Sequence, residues 1–498
     1  MRPGILRAWL ILIIFIDKSV WFVNMNASMQ SHQKGGMCMK ISRVMAAILG
    51  MAALLGGPVQ AAPAEGTAPG GMPPMAKFAK VSKVVQDKCM ACHTQGYDLP
   101  FYAKVPGIRQ IIEQDYRDGL RAMDLNVELI QNKGKPIGET VLAKMEWVIN
   151  NDTMPPAKFA VVHWGSRLSE REKKDILDWV KTSRKAHYAT DAAARHANEP
   201  LQPLPRLIKT DAKKAALGDK LFNDKRLSTD STLACSGCHF YDRGGTDHQR
   251  FSEGVRKQFG DVNPPTVFNA AFNLAQFWDG RAADLAEQAG GPPMNPIEMG
   301  SKDWDEIIGR LSQDEALTAE FKAVYPDGWS GKNITDAIAE YEKTLITPDS
   351  RFDKWLRGDD KALSSREAQG YERFKAYRCA SCHVGKSVGG QSYEYMDLKK
   401  DYFADRGGKE LGSDKGRYNH TKSELDMHRF KVPNLRNIEL TGPYLHDGTV
   451  ETLDEAVRVM GVYCAGLEVP QSDRDLIVAF LRSLTGEHNM LSGKVAAK

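Results

Sequence analysis

At 498 residues the chain is too long for one compact core and has the length of about three domains. Its formal net charge of +4 is set by the first 61 residues, which hold six of the 67 Lys/Arg and a single acid, Asp17. The remainder is close to neutral, which excludes a nucleic-acid partner, since phosphates call for a basic face.

From the N-terminus, Lys40 and Arg43 precede an apolar run over residues 44–57, and Val59-Gln60-Ala61 places small residues before Ala62. This pattern predicts an export signal over residues 1–61. The run is shorter than the roughly 20 apolar residues of a membrane span, although a retained anchor is the alternative. Residues 1–38 carry a second apolar patch, Trp9 to Ile16, broken by Asp17 and Lys18. They read as an extension upstream of a start at Met39. Either way the working part lies outside the cytoplasm. Residues 62–76, rich in Ala, Pro and Gly, read as a flexible leader.

The first chemical motif follows, Cys89-Met90-Ala91-Cys92-His93, and its frame returns twice, at Cys235-Ser236-Gly237-Cys238-His239 and Cys379-Ala380-Ser381-Cys382-His383. Exported cysteines often pair as disulfides, and two CxxC pairs can bind zinc. Neither explains a histidine after every pair. CxxCH is the attachment frame of c-type haem: two thiols bond the porphyrin edge and the adjacent imidazole reaches the iron. Three covalent haems are therefore expected. Cys38 lies in the leader, and Cys464 reads as an ordinary buried thiol.

Some 85 to 100 residues after each motif an amphipathic helix is expected to close a haem-bearing unit. The first opens with a capping box, Ser169 with Glu172, and carries Ile176, Trp179 and Val180 on one face. The second runs through Ile338, Tyr341 and Leu345. The third starts near Ser472 and carries Leu476, Phe480 and Leu484. Residues from His187 to Pro205 read as a linker, and Lys399 to Lys422, without hydrophobic period, as a surface excursion. The expected architecture is mainly α, with three cytochrome c-like helical domains in tandem at 77–187, 204–345 and 346–488.

The sixth ligand decides what each haem does, because a Met thioether favours Fe(II) and closes the iron, whereas an empty position admits substrate. For the first haem the candidate is Met154, held in Thr153-Met154-Pro155-Pro156 by two stiffening prolines. Met123 and Met145 sit in helical stretches and read as core.

From Leu221 onward the sequence resembles the bacterial di-haem cytochrome c peroxidases and their MauG-type relatives. The resemblance rests on Leu221-Phe222, Arg226-Leu227-Ser228, Asn263-Pro264-Pro265-Thr266-Val267, Gln276-Phe277-Trp278-Asp279-Gly280-Arg281, Phe430-Lys431-Val432-Pro433, Leu435-Arg436-Asn437 and Pro443-Tyr444-Leu445-His446-Asp447-Gly448. The N-terminal unit more loosely resembles that of tri-haem quinol peroxidases. The resemblance implies a periplasmic enzyme reducing hydrogen peroxide at the middle haem, with His383 and Met460 ligating a high-potential C-terminal haem. It further implies Gln288 and Glu298 as the groups that hold peroxide and move its proton, with Glu287 as the confusable neighbour. Trp278 would bridge the two haems, and a calcium ion would bind the Asn263 side chain with the carbonyls of Thr441 and Pro443, oxygen ligands that suit a hard cation. The family's distal histidine is replaced by Val255 in an ungapped register, with His248 the nearest substitute. The donor is left open among a small cytochrome, a copper protein and quinol, and a homodimer is an open possibility. A MauG-type oxidase acting on a partner protein and a non-enzymatic electron carrier are the alternative functions.

Overall fold

The computed structural model describes residues 10–16, 19–25, 75–98, 107–132, 135–162 and 164–491. Strands β1 (Leu10–Ile16) and β2 (Ser19–Met25) form an antiparallel hairpin by themselves. The rest of the expected export signal, with Cys38 and the point before Ala62, lies outside the described residues, as do residues 62–74.

Beyond the hairpin the described chain is mainly helical, as its scarcity of alternating apolar runs predicts. The helices that position the site are α1 (Met75–Lys88), α2 (Ile108–Ala122), α3 (Glu139–Asn150), α4 (Glu170–His187), α5 (Ala212–Phe222), α6 (Leu285–Ala289), α7 (Gly331–Glu342), α8 (Ser365–Ala376), α9 (Leu453–Val459) and α10 (Gln471–Arg482). One short sheet pairs β3 (Tyr393–Tyr395) with β4 (Arg429–Lys431).

A single unit recurs. A helix runs toward a CxxCH turn and a later helix packs back across it, pairing α1 with α4, α5 with α7 and α8 with α10. Two of these crossings share one register. A Cβ on Gly218 would lie 1.9 Å from the Ala337 carbonyl oxygen, and one on Gly370 would lie 2.0 Å from that of Leu476. Only glycine lets the backbones approach so closely. One turn further along, Phe222 meets Tyr341 at 5.5 Å and Phe374 meets Phe480 at 5.2 Å between ring centroids. Each crossing thus joins a bare backbone contact to an aromatic pair.

The anticipated apolar faces form the cores, except that on the third helix Ile477, and not Leu476, is the buried residue beside Phe480. Ile176, Trp179 and Val180 pack with Val81, Val85 and Leu142; Ile338, Tyr341 and Leu345 with Leu217 and Phe222; Phe480 and Leu484 with Tyr371 and Phe374. α4 begins at the expected capping box: Ser169 Oγ accepts from the Glu172 amide, and the Glu172 carboxylate accepts from the Ser169 amide at 2.7 Å. Such a cap stabilises a helix by about 1 kcal/mol.

Two segments are more ordered than their composition suggests. In the stretch read as a linker, Leu201, Gln202 and Leu204 are fully buried. The Gly385 amide donates to Pro200 O at 2.9 Å, the Leu204 amide to Asp353 Oδ1 at 3.1 Å, and Arg436 Nη2 to Gln202 O at 3.0 Å. Its partners lie more than 140 residues away, so composition could not show them. The segment read as a surface excursion buries Asp414 completely. Arg406 pairs there with Asp414 and Asp447, both at 2.7 Å, and His446 Nε2 lies 2.8 Å from Asp414 Oδ1. A buried polar network carries no hydrophobic period.

Candidate active site

Each CxxCH closes a tight turn in which the histidine amide donates to the first cysteine's carbonyl, at 3.2 Å for His93, 3.1 Å for His239 and 3.0 Å for His383. Among the described residues the six motif cysteines form no disulfide, and all are partly buried. Burial pushes Cys89, Cys235 and Cys379 up to about 12. The imidazoles are held alike: Nδ1 donates to Met123 O at 3.1 Å, to Gly245 O at 3.1 Å and to Val388 O at 3.3 Å. That bond commits Nδ1 and leaves Nε2 as the lone-pair nitrogen, the arrangement of an iron-ligating histidine. Burial lowers all three histidines, His383 to about 4, so they stay neutral. Two reduced thiols and one oriented neutral imidazole per turn fit covalent haem.

The third turn opens onto a largely apolar cavity of about 260 Å³ lined by Cys379, Cys382, His383 and Met460. Met460 starts a π-helical turn, Met460–Ala465, directly after α9, a distortion common at functional sites. Cys464 is a free thiol whose Sγ lies 3.9 Å from Met460 Sδ. Trp278 lines the same cavity. Its Nε1 donates to Asn263 O at 2.8 Å, its carbonyl accepts from the Lys431 amide at 2.8 Å, and its ring stands edge-on to His446 at 6.4 Å. Asn263, Thr441 and Pro443 line this cavity too. Asn263 Nδ2 donates to Gln249 O at 3.0 Å, which leaves Oδ1 as the oxygen offered to a cation.

Gln288 is half-buried on α6, and Glu298, whose charge is felt by Cys235 and Cys238 of the middle turn, is half-buried in the turn after a short helix, Gly291–Met294. Burial raises the Glu298 carboxyl, against Arg281 and a 2.7 Å bond from Asn295 Nδ2. Glu287 differs. It is exposed, and its carboxylate accepts from the Ala283 amide at 2.7 Å. Val255 is buried and its amide donates to Glu298 O at 2.8 Å, so it packs directly on the segment that carries Glu298. His248 is exposed and turned elsewhere, with Nε2 shared between Leu440 O at 2.7 Å and Arg243 O at 3.1 Å.

At the first turn, Met145 is buried and Met123 partly buried against the same core, as expected. Met154 is 38% exposed on the loop after α3. That helix packs on the Cys379–Ser381 turn, where Lys144 and Glu394 form a buried ion pair at 2.7 Å and Arg121 meets Asp397 at 2.6 Å. The first CxxCH unit is thereby anchored on the third. Sequence reasoning missed these contacts, along with the buried Lys431, which burial lowers to about 8. Asp414, His446 and Asp447 converge closely enough to share one cation, but Arg406 already supplies it between the two carboxylates.

Comparison with known proteins matches residues 212–361 to the di-haem cytochrome c peroxidase family and residues 62–182 to a haem-binding domain. The chain is 50% identical over 410 residues to cytochrome c peroxidase Ccp of Escherichia coli K12, covering 82% of this chain and 88% of that one. It is 44% identical over 299 residues to cytochrome c551 peroxidase of Nitrosomonas europaea, covering 59% and 87%. Among solved structures, a MauG-like protein associated with microbial copper homeostasis superposes with a TM-score of 0.52 at 26% identity, over 59% of this chain and 97% of that one. The chain therefore belongs to the di-haem cytochrome c peroxidase and MauG family, carries an additional haem-binding domain at its N-terminus, and binds haem.

Proposed function

We propose that this protein is a periplasmic peroxidase with three covalent haems that catalyses H2O2 + 2 e⁻ + 2 H⁺ → 2 H2O. Three separate hydrophobic cores, each beside one CxxCH turn, support domains at 77–187, 204–345 and 346–488. His93 with Met154, and His383 with Met460, would hold the haems that carry electrons. His239 would hold the middle haem, and Val255, which cannot ligate iron, would leave that haem open to peroxide. Bound haem supplies one-electron storage and the iron at which peroxide reacts.

The protein's own groups do the rest. Gln288 holds peroxide by hydrogen bonding. The Glu298 carboxylate takes a proton from one peroxide oxygen and delivers it to the other, which leaves as water. Nδ1 bonds to backbone carbonyls fix the three imidazoles. Electrons from an external donor (a small cytochrome, a copper protein or quinol) enter at the first unit, cross its docking surface to the third, and reach the middle through Trp278. Asn263, Thr441 and Pro443 hold a calcium ion beside that route.

Trp278 carries this reading. It lies in the chain segment of the middle unit, 20 residues before Glu298, yet its ring lines the cavity of Cys379, Cys382, His383 and Met460. Mass spectrometry of the mature protein with a pyridine haemochrome assay tests it. Three haems per chain are expected, and two or fewer would contradict the assignment.

A further inference from the structure

One buried acid has no part in the scheme above. Glu342, at the end of α7, is 4% exposed, and its Oε2 is buried without a hydrogen-bond partner. The repeated crossing shows where it points. Gly218 opposes Ala337, with Tyr341 one turn on; Gly370 opposes Leu476, with Phe480 one turn on. The residue after Phe480 is Leu481, which lines the cavity of Cys379, Cys382 and His383. The residue after Tyr341 is Glu342, and its charge is felt by Cys235 of the middle turn. The C-terminal unit thus places an aliphatic side chain there, and the middle one a carboxyl.

We propose that Glu342 is a redox-linked proton site of the middle haem, taking up one proton as that haem gains an electron: haem(III)/carboxylate + e⁻ + H⁺ → haem(II)/carboxylic acid. The proposal rests on the reading that the middle haem is the peroxide-reactive one, which alone of the three has proton chemistry to serve. No hydrogen-bond donor reaches the buried Glu342 Oε2, so its carboxylate is costly to ionise. Burial raises Glu342 to about 8 and is the sole cause of that shift.

Other charges around it are committed or distant in effect. α5 presents Asp219, which acts on Tyr241 and Tyr341. α6 presents Glu287, bound to the Ala283 amide. The middle turn presents Cys235 and Cys238, neutral once they carry haem, and His239, lowered by burial. Glu298, the other acid felt by Cys235, answers to Arg281 and Asn295. In this setting a negative charge on the haem is balanced most directly by protonating Glu342.

The test is proton uptake on full electrochemical reduction of the haem-loaded protein in weakly buffered solution between pH 7 and 9. Wild type should take up as much as one more proton per chain than Glu342→Gln or Glu342→Leu, the second of which copies the C-terminal unit. Equal uptake by all three proteins overturns the proposal. Peroxide consumption by the same samples tests the underlying reading separately. Equal uptake with active enzyme removes only the proton site, whereas a wild-type excess in a protein inert to peroxide supports the proton site and contradicts the peroxidase reading.

Discussion

Replacing Glu298 with Gln removes one exchangeable proton while leaving most of the local structure in place. Glu298 Oε1 accepts from Asn295 Nδ2 at 2.7 Å, and the Gln carbonyl can accept the same bond, so the loop should lose no more than about 1 kcal/mol. The chemical loss is larger. A positioned acid–base group contributes about 10²–10⁴ in rate, or about 3–5 kcal/mol of barrier at 1.36 kcal/mol per decade. Steady-state peroxide consumption with a reduced cytochrome or dye donor measures it, with haem content and potentials as controls. Glu287→Gln is the matched comparison, since that carboxylate is exposed and bound to the Ala283 amide; it should stay within about twofold of wild type, the scale of an exposed side-chain change. The pH profile gives a second reading. Burial raises the Glu298 carboxyl above the usual carboxylate range, and the working form is the carboxylate. Activity should therefore fall as pH drops through that raised value, and Glu298→Gln should abolish this acid limb. Equal losses in the two variants, or an acid limb that survives Glu298→Gln, would refute the assignment.

Met460→His should lower the potential of the C-terminal haem and slow turnover, because a thioether that favours Fe(II) is lost; an unshifted high-potential wave in a redox titration removes Met460 from the ligand set. Val255→His should convert the resting middle haem to low spin and make reaction with peroxide depend on prior reduction, whereas His248→Ala should leave the spin state unchanged; optical and EPR spectra of the oxidised variants decide both. Gly370→Ala should destabilise by about 2–3 kcal/mol, since its Cβ would lie 2.0 Å from Leu476 O, while Gly309→Ala, with nothing within 4 Å, should stabilise its helix; thermal unfolding of both variants checks the contrast.

Local chemistry was legible where neighbours in the chain decide it. The three CxxCH turns, the Ser169–Glu172 cap and the faces bearing Trp179, Tyr341 and Phe480 depend on spacing alone, and spacing is visible in a sequence. The juxtaposition of Trp278, Asn263 and Pro443 was reached by resemblance, not by any periodicity. What stayed hidden depends on contacts between distant segments. The stretch around Leu201 is polar-flanked and proline-rich, so it reads as a tether until Gly385 and Arg436 are seen to bind it. Arg406, Asp414 and Asp447 look like surface charge because their pairing occurs only in three dimensions. Glu342 is hidden for another reason: in sequence it is one more polar residue on an amphipathic helix. Its burial and its place in the crossing register shared with Phe480–Leu481 show that it faces inward.

The central claim is that one haem of three is open to peroxide while two are closed by methionine. EPR of the fully oxidised protein, with spins quantified against total haem, tests this most directly. The account predicts a high-spin signal from about one third of the haem, which peroxide abolishes without added reductant, beside two low-spin signals. A wholly low-spin spectrum, with no peroxide reaction until a reductant is supplied, would contradict it.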